Sequence, residues 1–578
     1  MRLPDIAVTM KGLVPTVHAQ LNGKDAEFIA DSGAFFSFVT PAAVAEFKLK
    51  RTDALGVVGV QDVSGAAARA IVVRANSFRL FGKPWENLEF LVVGGFPSDP
   101  DAAGLLGQNV FRIADVEYDF ANGVLRLAQP TADCQHSSLA YWADAAGKPY
   151  SVVDIETATA TQPKTKAKAY LNGTEITVEF DTGAPRSLLT LDAARRAGIT
   201  QVSAGVSPGG PTRGVTNSRW ANTWIGRFAS FKLGAEEIRN APIRFGDLSL
   251  HEADMLIGAD FFLSHRVYVA GSQHKLYFTY NGGPAFDLAP TREEPAPSAE
   301  AARASAAEAS QPADTAARLD EPTDAAGFAR RGTASDARQS FQAAIADLTR
   351  ACELAPTESG YFHERGVVYL HDSQPDKALA DFDQAIKLKA DDVDTLMARA
   401  RLHADRHDPE AQVTADLDAA DRALPKEADM RLRLASLYTE LRQPSGGVRV
   451  LSPWIDAHPR DPRRSTALNS RCWYRALSGQ ELTQAFDDCE AALTLNPHAG
   501  GFLDSRALVE LRQGSYRKAI RDYDAALRLR PKSAWSLYGR GLAKLRIGLS
   551  TEGKADVDAS IAIDPKIAEL AAGYGLKP

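Results

Sequence analysis

Residues 31–34 read Asp-Ser-Gly-Ala, and residues 181–184 read Asp-Thr-Gly-Ala. Each tetrapeptide follows a short run of alternating apolar and polar residues, ending at Ala30 or Phe180, and this alternation predicts a strand. An Asn-Gly pair precedes each aspartate at the same offset and indicates a hairpin turn, because glycine tolerates a positive φ. A strand that ends in Asp-Ser/Thr-Gly predicts a tight turn that presents the carboxylate at the domain surface.

The similarity between the two segments extends well beyond the tetrapeptides. Leu-Leu-Gly at residues 105–107 answers Leu-Ile-Gly at residues 256–258, and the distance from aspartate to this glycine is 76 residues in one copy and 77 in the other. Short alternating runs and turn residues in both copies indicate β structure. We therefore predict two copies of one all-β domain, residues 1–130 and 150–290, joined by a loop-like connection at residues 131–149.

A second and shorter repeat fills the C-terminal part of the chain. Residues 291–324 are rich in Ala, Glu, Ser and Pro and predict a flexible linker, because they cannot bury enough surface to offset the entropy of ordering. From residue 325 to 578, helical units close with spacings of 34, 35, 34, 38, 34 and 34 residues. The closing positions are Pro356, Ala390, Pro425, Pro459, Pro497, Pro531 and Pro565. This period resembles the tetratricopeptide repeat (TPR) and predicts an all-α solenoid of about seven repeats, the fourth of them degenerate.

The N-terminal duplication resembles the retroviral-type aspartic proteases (retropepsins). The resemblance rests on Asp-Ser/Thr-Gly-Ala after an apolar strand, with a later apolar-apolar-Gly segment, and it covers both N-terminal copies. Retroviral enzymes assemble their site from two identical chains, whereas this chain carries both halves. The resemblance thus implies a multidomain protein with two retropepsin-like lobes, forming an intramolecular pseudo-dimer, followed by the TPR solenoid.

The resemblance also implies which residues carry the chemistry. The candidate catalytic residues are Asp31 and Asp181, and the candidate supports of their turns are Ser32, Gly33, Ala34, Thr182, Gly183 and Ala184. The two hydroxyl residues among these are candidates for the interlocked hydroxyl arrangement of the family. Two carboxyl groups about 3 Å apart cannot both ionise readily, so they share one proton. One then activates a water while the other protonates or polarises the peptide carbonyl. No cofactor is implied, and the individual acid and base roles stay open.

Further elements follow from the same family pattern. Retropepsins cover their substrate with glycine-rich hairpin flaps, for which residues 56–65 and 205–214 are the candidates. One short helix is expected after each motif, at residues 41–47 and 191–197. The two apolar-apolar-Gly segments are expected to pack beneath the active-site turns as structural supports.

Composition excludes some classes of protein. A net charge of −7 over 578 residues gives no basic footprint for nucleic acid or an anionic membrane surface. The sequence contains no run of 18 apolar residues, so no transmembrane helix is predicted. The N-terminus has no apolar core of a signal peptide, so the sequence as given indicates the cytoplasm, or the periplasm if a signal has been lost.

Other candidate sites have weaker patterns. His403 and His407 are spaced for one helix face but lack a third metal ligand, and we interpret them as solvated surface residues. His251-Glu252 lacks the second histidine of a zinc peptidase. Cys472 and Cys489 are interpreted as separate buried thiols, since no Cys-x-x-C pair or disulfide framework is evident.

Two functions from different classes fit the sequence. The first is an aspartic endopeptidase that cuts an extended peptide, with the TPR array recruiting substrate or protein partners through its concave face. The alternative is a catalytically inactive peptide-binding or scaffold protein that acts through the TPR domain. Self-cleavage within the exposed linker is a further, weaker hypothesis.

Overall fold

A computed structural model describes most of the chain. The described residues are 4–52, 57–61, 67–80, 83–92, 102–129, 134, 137–156, 164–212, 221–248, 250, 253–286, 322–459, 461, 463–497 and 499–578. They divide into two compact units, residues 1–381 and 382–578. The first unit contains the β lobes and the first helices of the repeat array, and the second contains the remaining helices.

The first lobe is a twisted β structure with short helices. Its strands are β1 (Ile6–Lys11), β2 (Val14–Leu21), β3 (Lys24–Ala30), β4 (Phe38–Val39), β5 (Lys50–Arg51), β6 (Val57–Gln61), β7 (Ala67–Leu80), β8 (Lys83–Val92), β9 (Gly104–Leu106), β10 (Asp115–Asp119) and β11 (Val124–Ala128). Its helices are α1 (Pro41–Glu46), α2 (Gln108–Phe111) and a 3₁₀ turn (Phe120–Asn122).

The second lobe repeats this order of elements. A short helix, α3 (Tyr141–Ala146), lies in the connection that was expected to be loop-like. The strands are β12 (Ser151–Asp154), β13 (Lys166–Leu171), β14 (Thr174–Phe180), β15 (Leu188–Thr190), β16 (Ser207–Thr212), β17 (Ala221–Leu233), β18 (Glu236–Gly246), β19 (Met255–Ile257), β20 (His265–Ala270) and β21 (Lys275–Tyr280). The helices are α4 (Leu191–Arg196) and α5 (Ala259–Ser264).

The two predicted motif strands occupy equivalent places in the lobes. In lobe 1, β3 pairs in parallel with β9, and β9 pairs in antiparallel fashion with β4. In lobe 2, β14, β19 and β15 make the same arrangement. The Asn-Gly pairs before β3 and β14 form the expected turns: Asn22 and Gly23 both have positive φ, as do Asn172 and Gly173. The apolar-apolar-Gly segments are therefore the central strands beside the motif strands.

A shared sheet joins the lobes. Its strand order is β12-β21-β20-β10-β11-β1, so that lobe 2 and lobe 1 contribute three strands each. The junction is the antiparallel pair β10–β20, with Val116 opposite Val269 and Tyr118 opposite Val267. Strands β12, β21 and β20 of lobe 2 correspond to β1, β11 and β10 of lobe 1, so the order is symmetric about the junction. This is the pseudo-twofold arrangement that the duplication predicts.

Buried ion pairs lie on this shared sheet. Arg126 Nη1 donates to Glu117 at 2.7 Å and to Asp119 at 3.0 Å, and Arg266 Nε donates to Glu117 at 2.8 Å. The Tyr141 hydroxyl, from the inter-lobe helix, donates to Glu117 at 2.6 Å. Because Arg266 comes from lobe 2 and Glu117 from lobe 1, the network ties the lobes together by charge as well as by backbone hydrogen bonds.

Fifteen helices follow in the described part of the C-terminal region. They are α6 (Ala325–Ala337), α7 (Phe341–Leu354), α8 (Ser359–His371), α9 (Pro375–Leu388), α10 (Val393–Asp405), α11 (Glu410–Ala423), α12 (Met430–Glu440), α13 (Pro444–Ala457), α14 (Arg464–Ser478), α15 (Leu482–Leu495), α16 (Gly500–Arg512), α17 (Tyr516–Leu529), α18 (Ala534–Arg546), α19 (Ser550–Ile563) and α20 (Ile567–Gly573). Within the first unit, α6 packs on β1 and its Ala334 and Ala337 join the core of the lobes.

One ion pair recurs along the helices. An arginine on the first helix of a repeat donates through both Nε and Nη2 to an aspartate 16 or 17 residues later, at 2.5–3.0 Å. The pairs are Arg331–Asp347, Arg365–Asp381, Arg399–Asp416, Arg471–Asp488, Arg506–Asp522 and Arg540–Asp556. We call each of these bidentate pairs an arginine fork. The repeat between the third and fourth pairs has no such fork among the described residues, and it is the one predicted to be degenerate.

Two expectations for the helical region were wrong. Cys472 and Cys489 are not separate thiols but form a disulfide between α14 and α15, with their Cα atoms 5.6 Å apart. Spacing along the chain concealed this pair, because antiparallel neighbouring helices bring residues 17 apart face to face. His403 is buried and not solvated, and its Nδ1 lies 2.8 Å from Asp408. No described helix has the length and apolarity needed to span a membrane.

Candidate active site

The two motif aspartates begin equivalent turns at the ends of β3 and β14. The Asp31 N–H donates to the Leu106 carbonyl at 3.0 Å, and the Asp181 N–H donates to the Ile257 carbonyl at 2.9 Å. Each aspartate is thus anchored to the central strand of its own lobe. These hydrogen bonds fix the backbone of each aspartate and thereby the direction in which its side chain projects from the lobe.

Each carboxylate closes its own turn. Asp31 Oδ1 accepts from the N–H groups of Gly33 and Ala34 at 2.9 and 2.8 Å. Asp181 Oδ1 accepts from Gly183 and Ala184 at 3.0 and 3.2 Å. In both lobes, therefore, Oδ1 is engaged by the turn, whereas Oδ2 accepts no hydrogen bond from it.

The glycine of each turn lies against the aspartate of the other lobe. A Cβ added to Gly33 would overlap the carboxyl group of Asp181, and one added to Gly183 would overlap that of Asp31. No other residue type fits at either position, because only glycine leaves room for a carboxyl group at this distance. The structure therefore brings the two predicted carboxylates together across the junction of the lobes.

The two hydroxyl residues exchange hydrogen bonds across this junction. Thr182 Oγ1 donates to the Ala30 carbonyl at 2.7 Å and accepts from the Ser32 N–H at 2.9 Å. Ser32 Oγ donates to the Phe180 carbonyl at 2.9 Å and accepts from the Thr182 N–H at 3.0 Å. Four hydrogen bonds between buried groups thus lock the two turns in register, in the crossed arrangement that the family resemblance implies.

Burial and the neighbouring carboxylate change the acidity of this pair. Burial raises the pKa of Asp31 well above its ordinary value, and Asp181 raises that pKa further. The N–H of Ala34 and the more distant Lys164 act in the opposite direction but are outweighed. A raised pKa on one member of a carboxyl pair is the condition under which the pair holds one proton and one negative charge.

A second layer of hydrogen bonds holds each turn on its central strand. Ser37 Oγ donates to Asn109 at 2.7 Å and accepts from the Gly107 N–H at 3.0 Å. The same pattern recurs in lobe 2. There Ser187 Oγ donates to Asp260 at 2.7 Å and accepts from the Gly258 N–H at 2.9 Å. The serine that follows each tetrapeptide therefore links the active-site turn to the apolar-apolar-Gly segment.

Two side chains beneath the lobe 1 turn were missed by the sequence reasoning. Gln108 Nε2 donates to the Ser32 carbonyl at 2.6 Å. Tyr118 is fully buried on β10, and burial raises its pKa while a hydrogen bond with Ser32 opposes that rise. Neither residue recurs at the equivalent place in lobe 2, where Ala259 and Val269 stand. The sequence repeat that identified the two aspartates therefore could not identify Gln108 and Tyr118.

A charged pair beside the lobe 2 turn was also missed. Lys164 Nζ lies 2.6 Å from Glu179 Oε1, and Glu179 is two residues before Asp181 on β14. Burial alone would lower the pKa of Lys164, but Glu179, Asp181 and Asp31 together raise it. A glutamate in an otherwise apolar strand end was the visible signal for this pair.

The flap candidates are described only in part. Residues 57–61 form β6, which pairs with β7, and residues 56 and 62–65 lie outside the described residues. In the Pro-rich candidate at 205–214, residues 207–212 form a strand, β16, which pairs in antiparallel fashion with β17 and has an irregularity between Pro208 and Gly210. Its connection to β17 lies outside the described residues.

Comparisons with known proteins agree with this architecture. The aspartyl protease family model matches the chain twice, at residues 17–110 and 167–261, and a TPR repeat model matches residues 507–548. Both motif aspartates lie inside the aspartyl protease matches. No curated protein matches the chain closely enough to be counted as a relative.

Several solved structures are similar to this chain, and some of them are described as TPR proteins. One is a tetratricopeptide repeat protein from Parabacteroides merdae, 13% identical, covering 44% of this chain and 98% of its own, with a TM-score of 0.33. Another is YrrB, described as a TPR protein with an unusual peptide-binding site, at 15% identity, 39% and 95% coverage and a TM-score of 0.25. A third is pilF of Pseudomonas aeruginosa, at 16% identity, 38% and 95% coverage and a TM-score of 0.26.

The fold and the family matches define the class of protein. The N-terminal part is a tandem pair of retropepsin-like aspartic protease lobes, and the C-terminal part is a TPR array. The predicted fold class is confirmed.

Proposed function

We propose that this protein is an aspartic endopeptidase whose two catalytic carboxylates are Asp31 and Asp181. The observation that carries the proposal is the position of the two carboxyl groups, each packed against the glycine of the other lobe's turn. In this arrangement one carboxylate takes a proton from a bound water as the water attacks the peptide carbonyl. The partner carboxyl donates its proton to the carbonyl oxygen, which gives a tetrahedral diol. The carboxyl that took the proton from water then protonates the nitrogen as the C–N bond breaks, and the partner carboxylate recovers a proton from a diol hydroxyl.

The surroundings of the pair support a catalytic role. The hydroxyls of Ser32 and Thr182 are fully used in hydrogen bonds that hold the turns, so they are positioning residues and not nucleophiles. The raised pKa of Asp31, caused by burial and by Asp181, lets the pair hold the one proton that the reaction needs at the start. The unprotonated member is then the base. Water is the nucleophile, and the residues that surround it require no cofactor for this chemistry.

The TPR array is proposed to recruit protein substrate or regulatory partners to the peptidase. Its supporting observation is the run of helical repeats, a fold that binds peptides and proteins on its surface in many unrelated proteins. Since α6 packs on the lobes, the array begins as part of the same compact unit as the site.

The test of the peptidase proposal is cleavage of an unfolded protein by the full chain at acidic pH. Asp31→Asn and Asp181→Asn are each expected to abolish cleavage, because either change removes half of one proton-sharing pair. Asp192→Asn is a matched control, since this aspartate is highly exposed on α4 in lobe 2. Cleavage by both site variants at the wild-type rate would contradict the proposal. An inactive wild-type chain would favour the peptide-binding alternative.

A further inference from the structure

The pseudo-twofold symmetry of the lobes allows their cleft-facing positions to be compared in pairs. Alternate residues of a strand face the same side, so Ile29 shares the face of Asp31 and Glu179 shares the face of Asp181. The intervening residues, Ala30 in lobe 1 and Phe180 in lobe 2, belong to the core of the lobes. Each position two residues before a motif aspartate therefore lies on the same strand face as the carboxyl pair, although both side chains are buried.

In lobe 1 these surroundings are apolar. Ile29 packs in one buried cluster with Val14 and Leu91, and Phe36 packs against that cluster. Phe35, which follows the active-site turn directly, keeps 39% of its surface exposed although it is a large apolar residue. An exposed aromatic side chain that follows the active-site turn favours an apolar side chain of a bound peptide, since contact removes further apolar surface from water.

In lobe 2 the equivalent positions are charged. Lys164 replaces Val14, 17 residues before the aspartate in both lobes, and Glu179 replaces Ile29. Arg186 stands five residues after Asp181, where lobe 1 has Phe36. Arg244 lies opposite Leu188 by the register of β15 and β18, where lobe 1 has Leu91.

The charged pair exposes its cation and buries its anion. The side chain of Glu179 is 2% exposed, whereas that of Lys164 is 35% exposed. The carboxylate is therefore buried behind the ammonium group, and the ammonium group is the member of the pair that a ligand can reach. Its charge acts on both motif aspartates, which places it beside the proposed reaction centre.

We infer that the cleft is built for an unlike pair of side chains: an apolar one against lobe 1 and an acidic one against Lys164 in lobe 2. This inference rests on the proposed peptidase function and adds the substrate class to it. Lys164 is a specificity-determining residue in this scheme. Glu179 positions the ammonium group and keeps it charged, and it does not contact the substrate.

Cleavage-site profiling of a peptide library tests the inference. The full-length wild type is expected to prefer an acidic residue on one side of the cut and an apolar residue on the other. The double variant Lys164→Met/Glu179→Leu makes lobe 2 resemble lobe 1 and leaves no buried carboxylate without its partner. It is expected to lower kcat/KM for acidic peptides by about tenfold to a hundredfold relative to matched leucine peptides, the value of a charge-assisted hydrogen bond.

A neighbouring ion pair provides the control. Lys168 and Glu175 are 3.3 Å apart and exposed on the same β13–β14 hairpin. Lys168→Met/Glu175→Leu should keep the wild-type profile. The inference is overturned if wild type has no acidic preference, or if that preference survives in the Lys164 double variant, and the peptidase proposal then stands. If wild type cuts no peptide, the peptidase proposal fails. The inference is then tested by peptide binding to the Asp31→Asn variant: tighter binding of acidic peptides than of leucine peptides supports it, and equal affinity overturns it.

Discussion

Asp31 and Asp181 begin nearly identical tetrapeptides, yet their surroundings differ. Asp31 is buried, with Tyr118 and Gln108 beneath its turn, whereas Asp181 is half-buried beside Lys164 and Glu179. A duplicated motif thus supplies two equivalent backbones in unlike surroundings. Burial and the neighbouring Asp181 raise the pKa of Asp31, so the pair as a whole can hold one proton.

The pH dependence of cleavage follows from that shift. Because the folded pKa of Asp31 is raised, its carboxyl keeps its proton at a pH where an ordinary aspartate has ionised. Cleavage is therefore expected to persist above the ordinary aspartate pKa and to fall as the pH rises through the raised pKa, when the pair would carry two negative charges. Measuring kcat/KM across acidic and neutral pH checks this. A decline already centred on the ordinary aspartate value would contradict it.

At the scale of elements, the repeated arginine forks explain how short helices hold together. In each fork an arginine of the first helix grips an aspartate of the second through two parallel hydrogen bonds. Several of these arginines use Nη1 to reach the preceding repeat as well, as Arg399 does to Asp383 and Arg540 does to Asp524. The fork therefore fixes both the packing within a repeat and the stacking between repeats.

Breaking one fork should destabilise the array. Arg506→Met leaves the partly buried Asp522 without its bidentate partner, and we expect a loss of about 2 kcal/mol in the free energy of unfolding. Arg401→Met is the control, because the Arg401–Glu440 pair is exposed and such pairs contribute about 0–1 kcal/mol. Denaturant unfolding followed by circular dichroism compares the two. Equal midpoints would show that the forks contribute no more than surface ion pairs.

Sequence patterns predicted some elements well and others poorly, for physical reasons. The motif strands, the Asn-Gly turns and the short helices after each motif depend on local periodicity and on glycine, so they could be predicted. The forks escaped notice, although the arginines and aspartates recur visibly, because Arg and Asp at the surface usually indicate solvated charge. The Cys472–Cys489 disulfide also escaped, since pairing between helices depends on their packing.

At the scale of the whole molecule, the two lobes belong to one chain and pair through a shared sheet. The pseudo-dimer is held by the β10–β20 pairing, the crossed hydroxyl hydrogen bonds and the ionic network around Glu117. The duplication predicted the pairing of lobes and the meeting of the carboxyl groups. It could not predict Lys164 or Arg266, because residues that differ between the copies leave no trace in a search for repeats.

Removing Arg266, the lobe 2 cation of the ionic network around Glu117, should weaken the association of the two lobes. Arg266→Met leaves Glu117 and Asp119 buried with one cation fewer, and loss of one partner of a buried pair typically costs about 3–5 kcal/mol. Both stability and cleavage are expected to fall, since the carboxyl groups meet only while the lobes stay together. Arg239→Met, on an exposed part of β18, is the control. Thermal unfolding and peptide cleavage measured on both variants decide whether the network holds the lobes.

The most direct test asks whether one chain alone builds the site. Purified Asp31→Asn and Asp181→Asn chains are mixed, and cleavage is measured against wild type over a range of protein concentrations. Because each variant chain lacks one carboxylate of its own pair, the mixture is predicted to stay inactive, and wild-type activity per chain is predicted not to change with concentration. Recovery of activity in the mixture, with wild-type activity rising on concentration, would show that the lobes pair between chains and would contradict the intramolecular carboxyl pair.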